Sequence, residues 1–146
     1  MIIISNDHAG INLKNSFVEY FKQNNIDYID CGAKSLEPND SFVDYAKAAI
    51  EHYVNNCDTQ QDKLILICGS GVGMSIVANR NPQIRAVLAF DRVQAEQGRL
   101  HNNCNCLCLG ERNTGFDKAL EIFKVFDGTN FLGGKYLERI ESIDKK

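Results

Sequence analysis

The feature that most constrains the fold is a run of five apolar residues, Leu64-Ile65-Leu66-Ile67-Cys68, stopped at once by Gly69-Ser70-Gly71-Val72-Gly73. A strand with one wet face alternates apolar and polar residues. An unbroken run fits a strand covered on both faces, as in a parallel sheet lying between helices. Four further strands are read at Ile2 to Ile4, Ile26 to Cys31, Ala86 to Ala89 and Asn105 to Leu109.

Between these runs the periodicity is helical. Leu13, Phe17 and Phe21 recur every four residues, and Lys14, Glu19 and Lys22 are assigned to the opposite, solvent face. Ala46, Ala49, Ile50, Tyr53 and Val54 mark a second helix, with His52 read as surface. Further helices are predicted from the glycine turn to about Asn79, from Asp91 to Leu100, from Phe116 to Phe126 and from Lys135 to Ile143. Strand–helix alternation of this kind predicts an α/β protein: a Rossmann-like three-layer α/β/α sandwich with a five-stranded parallel sheet. No repeat or composition break divides the chain, so residues 1–146 are read as one domain.

Composition narrows the function. A net charge of −3 argues against a nucleic-acid partner, which usually requires a basic face. No apolar run approaches the ~18 residues of a membrane span, and Met1 to Gly10 lacks the features of a secretory signal. A cytoplasmic location is expected, and with it six free thiols rather than disulfides.

In parallel sheets ligands bind outside the carboxyl ends of the strands. Asp7 and His8 follow the first run, Cys68 and the glycine loop the third, and Glu111 and Arg112 the fifth. The helix after the fourth run ends in Arg99, His101 and Asn102, and His8 and His101 are expected at one sheet edge. Met74 stands where G-x-G-x-x-G needs its last glycine, and no Lys-Ser/Thr pair closes a Walker loop. What remains is a strand–glycine loop–helix unit, either an anion site for a phosphate or oxyanion or a plain tight turn. Cys68, at the head of that helix, occupies a setting in which thiols act as bases or nucleophiles; a buried structural cysteine is the alternative.

Cys104, Cys106 and Cys108 alternate as in a strand, so all three thiols are expected to pack on one face. The spacing is not that of a zinc site, and no metal is expected. Arg92, Arg99, Arg112, Lys135 and Arg139 read as solvated charges, although Lys135 and Arg139, four apart, share a helix face and could clamp a phosphate.

Taken together, five segments resemble the ribose-5-phosphate isomerase B family, which includes galactose-6-phosphate isomerases. They are Ser5-Asn6-Asp7-His8-Ala9-Gly10, Ile67 to Ser75, Arg99-Leu100-His101-Asn102-Asn103, Leu109-Gly110-Glu111-Arg112, and Gly133-Gly134-Lys135 with Arg139. The resemblance runs from Ile3 to about Ile143. It implies an aldose–ketose isomerase that works through a cis-enediolate, with Cys68 as the base. Ser70 and the amides from Gly71 to Ser75 would stabilise the enediolate. Gly69, Ser70, Gly71, Val72 and Gly73 would line the substrate. His101 would assist ring opening, and Asp7 and Asn102 would hold sugar hydroxyls. His8, Arg112, Lys135 and Arg139 would bind the phosphate.

The resemblance further implies a homodimer or dimer of dimers with a shared site. The His101, Asn102 and Arg112 side would come from the partner, and the C-terminal helix, about 133–144, would contribute to the dimer. It implies no cofactor and no metal. Three positions depart from the family pattern. Ser70 replaces a threonine, Lys135 an arginine, and Ser41-Phe42-Val43 an Asp-Tyr-Pro stretch, where Asp40 or Asp44 could supply the missing acid. A six-carbon substrate such as allose or galactose 6-phosphate, a non-catalytic sugar-phosphate-binding module, and a thiol redox or metal protein using Cys104 to Cys108 are the alternatives.

Overall fold

The computed structural model describes residues 1–145. Its elements run in strict alternation through the sheet: β1 Ile2–Asn6, a 3-10 turn His8–Gly10, α1 Ile11–Gln23, β2 Tyr28–Asp30, α2 Phe42–Asn56, β3 Lys63–Cys68, α3 Val72–Ala78, β4 Ala86–Leu88, α4 Arg92–Asn102 and β5 Cys106–Gly110. Two further helices, α5 Phe116–Gly128 and α6 Lys135–Glu141, complete the chain. The five strands form one parallel sheet, as the strand–helix alternation predicted, and their order is β2-β1-β3-β5-β4.

β3 lies at the centre and its register fixes the rest. Ile67 pairs with Asn6 of β1, and Cys68 pairs with Gly110 of β5. Every residue of β3 is buried. Its side chains alternate between two helical layers. Ile65 and Ile67 pack with Leu13, Phe17 and Phe21 of α1, Ala95 of α4 and Ile122, Phe123 and Phe126 of α5. Leu64, Leu66 and Cys68 pack with Ala46, Ala49, Ile50 and Tyr53 of α2 and Met74 and Ala78 of α3. Phe17, Phe21 and Phe123 meet edge-on or tilted, with centroids 5.4–5.9 Å apart.

Four expectations require correction. Lys14 is not on the solvent face. It is 2 % exposed, and its Nζ donates to Asp30 Oδ2 at 2.8 Å and to the Ala33 carbonyl at 3.2 Å. Residues 14, 17 and 21 are separated by three and four, so Lys14 shares the stripe of Phe17 and Phe21 despite its charge. Arg99 is likewise buried rather than solvated. Cys104 precedes β5, so it escapes the strand's alternation and packs in the α1/α4/α5 layer. Cys106 and Cys108 face α2 and α3, with sulfurs 3.9 Å apart. His52 is half-buried, and its Nε2 is enclosed without a partner.

The Lys14–Asp30 pair ties α1 to the end of β2 and to the chain entering the Ala33 loop. Burial alone would raise the Asp30 carboxyl, but hydrogen bonds from Lys14, Lys34 and the Gly32 amide outweigh it and hold it below its ordinary value. The stabilisation is therefore full above the unfolded carboxyl pKa of about 4 and is lost as pH falls through the depressed value. Asp30→Asn should cost about 3 kcal/mol, because it strands a buried ammonium. Lys14→Met should cost less, since Lys34 keeps Asp30 paired at 2.7 Å. Urea midpoints of the two variants at neutral pH check that order.

Candidate active site

Strand order reverses direction at β1 and β3, and the crevice between their carboxyl ends is where such sheets bind ligands. A cavity of about 180 Å³ lies there, lined by Asp7, His8, Ala9, Phe42, Cys68, Gly69, Ser70, Gly73 and Arg112. Three chain ends supply these residues. Asp7 closes β1 and caps the 3-10 turn, its Oδ1 accepting from the Ala9 amide at 3.0 Å. Burial pushes its carboxyl up, against the pull of His8 and the Ala9 amide.

Cys68 ends β3 and is 6 % exposed. Its Sγ accepts from the Gly71 amide at 3.1 Å. That contact needs the chain to double back within three residues, and Gly71 does so at φ +77°, a conformation that favours glycine. The Val72 amide donates to Ser70 Oγ at 3.3 Å, and the Ser75 amide makes the first helical bond to the Gly71 carbonyl. Of the five amides named from the sequence, those of Gly73 and Met74 are left as open donors at the start of α3.

Arg112 comes from the turn after β5. The Glu111 amide donates to the Cys68 carbonyl at 2.9 Å and the Arg112 amide to the Gly69 carbonyl at 3.0 Å, which locks the turn onto the glycine loop. The guanidinium lies over Gly69, where a Cβ would stand 2.5 Å from Nη1. Arg112 therefore belongs to the Cys68 side of the chain, not to the side expected from a partner. Glu111, another sequence candidate, is structural. It caps α1, with Oε2 accepting from the Leu13 amide at 2.9 Å and Oε1 from Asn12 Nδ2 at 3.0 Å.

Phe42, the first residue of α2, forms the remaining wall. Its ring packs against Gly73, where a Cβ would meet it at 2.6 Å. Asp40 supplies an acid in place of the one missing at Ser41. It accepts from the His8 amide at 3.0 Å and pairs with His8 Nδ1 at 2.5 Å, whereas Asp44 is exposed. Asp7, His8 and Asp40 bring one ligand atom each within 4.8 Å, the one such cluster among the described residues. Its atoms are already engaged with one another or with backbone amides.

His101, Asn102, Lys135 and Arg139 lie elsewhere. α4 runs back from the carboxyl edge of the sheet, so its last residues reach the opposite edge, about 16 Å along the helix. This overturns the expectation that His8 and His101 share one edge. A second cavity of about 300 Å³ gathers His101, Asn102, Tyr136, Arg139, Ile140 and Ile143. His101 stacks on Tyr136 at 4.8 Å, and Lys135 and Arg139 approach the same ring at 5.3 and 5.6 Å. Tyr136 went unnoticed in the sequence. An aromatic residue next to Lys135 and one helical turn from Arg139 was the available signal.

Two arginines hold the His101 end. Arg85 Nε donates to the carbonyls of Asn102 and Asn103 at 3.1 and 3.0 Å. Arg99 donates to the Thr129 carbonyl at 3.1 Å, to Asn103 Oδ1 at 2.9 Å and to the Cys104 carbonyl. Asn103 ends the helix in the left-handed region at φ +45°.

The fold and the first cavity define a doubly wound α/β protein that sets a thiol beside cationic side chains and open amides at its switch point. The sequence profile of the family described as Ribose/Galactose Isomerase matches residues 2–143. The ribose 5-phosphate isomerase of Thermotoga maritima is 38 % identical, with a TM-score of 0.92 over 99 % of this chain and 97 % of that one. The structure of ribose-5-phosphate isomerase B from Mycoplasma genitalium with bound ribulose-5-phosphate is 33 % identical, with a TM-score of 0.91 over 97 % and 92 % of the two chains. Ribose-5-phosphate isomerase B of Escherichia coli is 35 % identical over 94 % of this chain and 89 % of its own length. The chain belongs to the ribose/galactose isomerase family and is a sugar-phosphate isomerase.

Removing the Arg99 head group tests the clamp. Arg99→Met keeps the stem but leaves three acceptors unmatched. It should cost about 2–3 kcal/mol, or about 5–10 °C in melting temperature for a chain of this size. Thermal unfolding followed by circular dichroism reads it directly.

Proposed function

We propose that this chain interconverts ribose 5-phosphate and ribulose 5-phosphate, with Cys68 as the base. One observation carries the reading: Cys68, His8, Arg112, Ser70 and Gly73, whose amide is an open donor, meet around one cavity. The solved relative from Mycoplasma genitalium, which holds ribulose-5-phosphate, supports the choice of substrate.

The chemistry follows from the parts. The Cys68 thiolate takes the proton from C2 of the open-chain aldose. The C–H electron pair forms the C1=C2 bond, and the carbonyl pair moves to O1. The negative charge meets the Ser70 hydroxyl and the Gly73 amide, donors already fixed in place before it develops. The O2 proton is relayed to O1, Cys68 returns its proton to C1, and the C2 carbonyl forms. No atom is gained or lost. Asp7 accepts from a sugar hydroxyl, and His8 and Arg112 bind phosphate oxygens.

His101, Asn102, Lys135 and Arg139 complete the site from a second copy, in a homodimer or a dimer of such dimers. His101 there takes part in ring opening, Asn102 holds a hydroxyl, and Lys135 and Arg139 reach the phosphate. This assignment is supported by the wide separation of the two cavities within one chain. It is supported also by α6, which has no buried residue of its own and exposes Leu137. Val72, Ile76, Phe90 and Val93 offer exposed apolar surface beside the β4 edge for the contact. No described helix is long and apolar enough to cross a membrane, and the reading places the enzyme in the cytoplasm.

Cys68→Ala should abolish conversion of ribose 5-phosphate, a loss of at least about 10³-fold, with the far-ultraviolet spectrum unchanged. A chelator should leave the wild type active. Retained turnover in the variant removes Cys68 from the proton path. If ribose 5-phosphate is inert and allose or galactose 6-phosphate is converted, the six-carbon alternative stands. Failure on all three favours a binding module.

The shared site has its own test. Inactive Cys68→Ala and His101→Ala chains, unfolded together and refolded, form mixed dimers in which one site holds both native residues. Activity should recover to about a quarter of wild type for two-fold symmetric pairing. No recovery would place both residues in the service of one chain's own site.

A further inference from the structure

The departure from the family's pattern at Ser41 bears on His8. The acid expected at position 41 is a serine, and Asp40, one residue earlier, has turned towards His8. The Asp40 side chain is 9 % exposed and stands behind the imidazole, outside the cavity lining, whereas His8 is 32 % exposed and lines it. The carboxylate makes two contacts with one residue. Oδ2 accepts from the His8 amide at 3.0 Å, and Oδ1 pairs with Nδ1 at 2.5 Å.

We propose that Asp40 is the positioning residue for His8: it keeps a proton on Nδ1 and presents Nε2 to the cavity as the donor for a phosphate oxygen. An ionised carboxylate can only accept, so the contact fixes Nδ1 as the protonated nitrogen. Nε2, on the far side of the ring, is left for the ligand. The two-point grip also fixes the ring's plane, because the same carboxylate holds the backbone from which the ring hangs.

Asp40, Asp7 and Arg112 are the charged groups that act on the ring. The Asp40 hydrogen bond pushes His8 up from its ordinary value, and Asp7 on its own turn acts in the same direction. Desolvation and Arg112, from the turn after β5, oppose them. Cys68, at the end of β3, shares the cavity. The net effect favours the imidazolium, which is the form that binds a dianion through a charge-assisted bond.

The inference rests on the reading of the cavity as a sugar-phosphate site, and its test separates the two. Asp40→Asn retains an acceptor for the His8 amide but removes the charge; Asp40→Glu restores the charge. Histidine-labelled protein is titrated by NMR, with the His8 signal assigned by its loss in His8→Gln. Binding of inorganic phosphate and the kinetics of ribose 5-phosphate are measured on the same proteins across pH.

In Asp40→Asn the His8 titration should move to lower pH. Phosphate affinity should fall about tenfold above that titration, the scale of one charge-assisted bond. KM should rise by the same factor while kcat holds, and Asp40→Glu should recover most of the loss. An unmoved His8 titration, or losses in Asp40→Asn and His8→Gln that simply add, would overturn the assignment. If ribose 5-phosphate is not turned over at all, the function proposed above fails, and the titration and phosphate affinity still decide the role of Asp40.

Discussion

The two-sided burial of β3 is the constraint on which the molecule depends. A strand with helices on both faces and neighbours on both edges has no freedom of register, since a one-residue slip would exchange its two faces. Ile67 is therefore tied to Asn6 and Cys68 to Gly110. The three chain ends that leave β1, β3 and β5 emerge side by side as a consequence of the core. Asp7, Cys68 and Arg112 meet because Leu64, Ile65, Leu66 and Ile67 cannot pack any other way.

From that edge the site is assembled by short backbone contacts rather than by long side chains. The Gly71 amide on Sγ, the Glu111 amide on the Cys68 carbonyl and the Arg112 amide on the Gly69 carbonyl place sulfur, glycine loop and guanidinium in one frame. Glu111 then ties the frame to α1. A group fixed in this manner needs no reorganisation when charge develops beside it, the condition under which fixed donors accelerate a reaction most.

The sheet, its helices and the place of Cys68 at a strand end beside the glycine loop were legible in the sequence because they rest on local pattern: apolar runs, four-residue periodicity and glycines after a strand. The misses share one cause, contacts between residues far apart in sequence. Lys14 was read by its charge, although its spacing from Phe17 and Phe21 put it on the buried stripe; what decides its place is Asp30, sixteen residues on. Nothing near Glu111 announces that it caps a helix 98 residues earlier. His101 was assigned to the wrong edge by treating the end of a helix like the end of a strand. Cys104 was grouped with Cys106 and Cys108 by spacing alone, but alternation applies only within β5, and Cys104 stands before it. Among the residues that the resemblance assigned to the phosphate, Arg112 was expected from a partner and lies instead beside Cys68 of its own chain.

The wide separation of the two cavities follows from the fold rather than from any detail of sequence. In a parallel α/β sheet each helix returns the chain to the opposite edge. A residue at the end of α4 cannot face a residue at the end of β3 of the same chain, however well suited their chemistry. Two solutions exist: move the residue to a strand end, or bring the far edge of a second copy to the first. The chain commits heavily to the far edge. Arg85 and Arg99 spend four hydrogen bonds on the carbonyls and cap of residues 102–104, and a fifth ties Arg99 to the Thr129 carbonyl. Tyr136 packs on His101 beneath Lys135 and Arg139. Rigidity of that order is not required of a free helix end. On the shared-site reading it has a purpose, because a group that must act across an interface can be placed no more accurately than the element that carries it. Assembly and catalysis are then one requirement, and a mutation that loosens the end of α4 weakens the active site of the neighbouring copy.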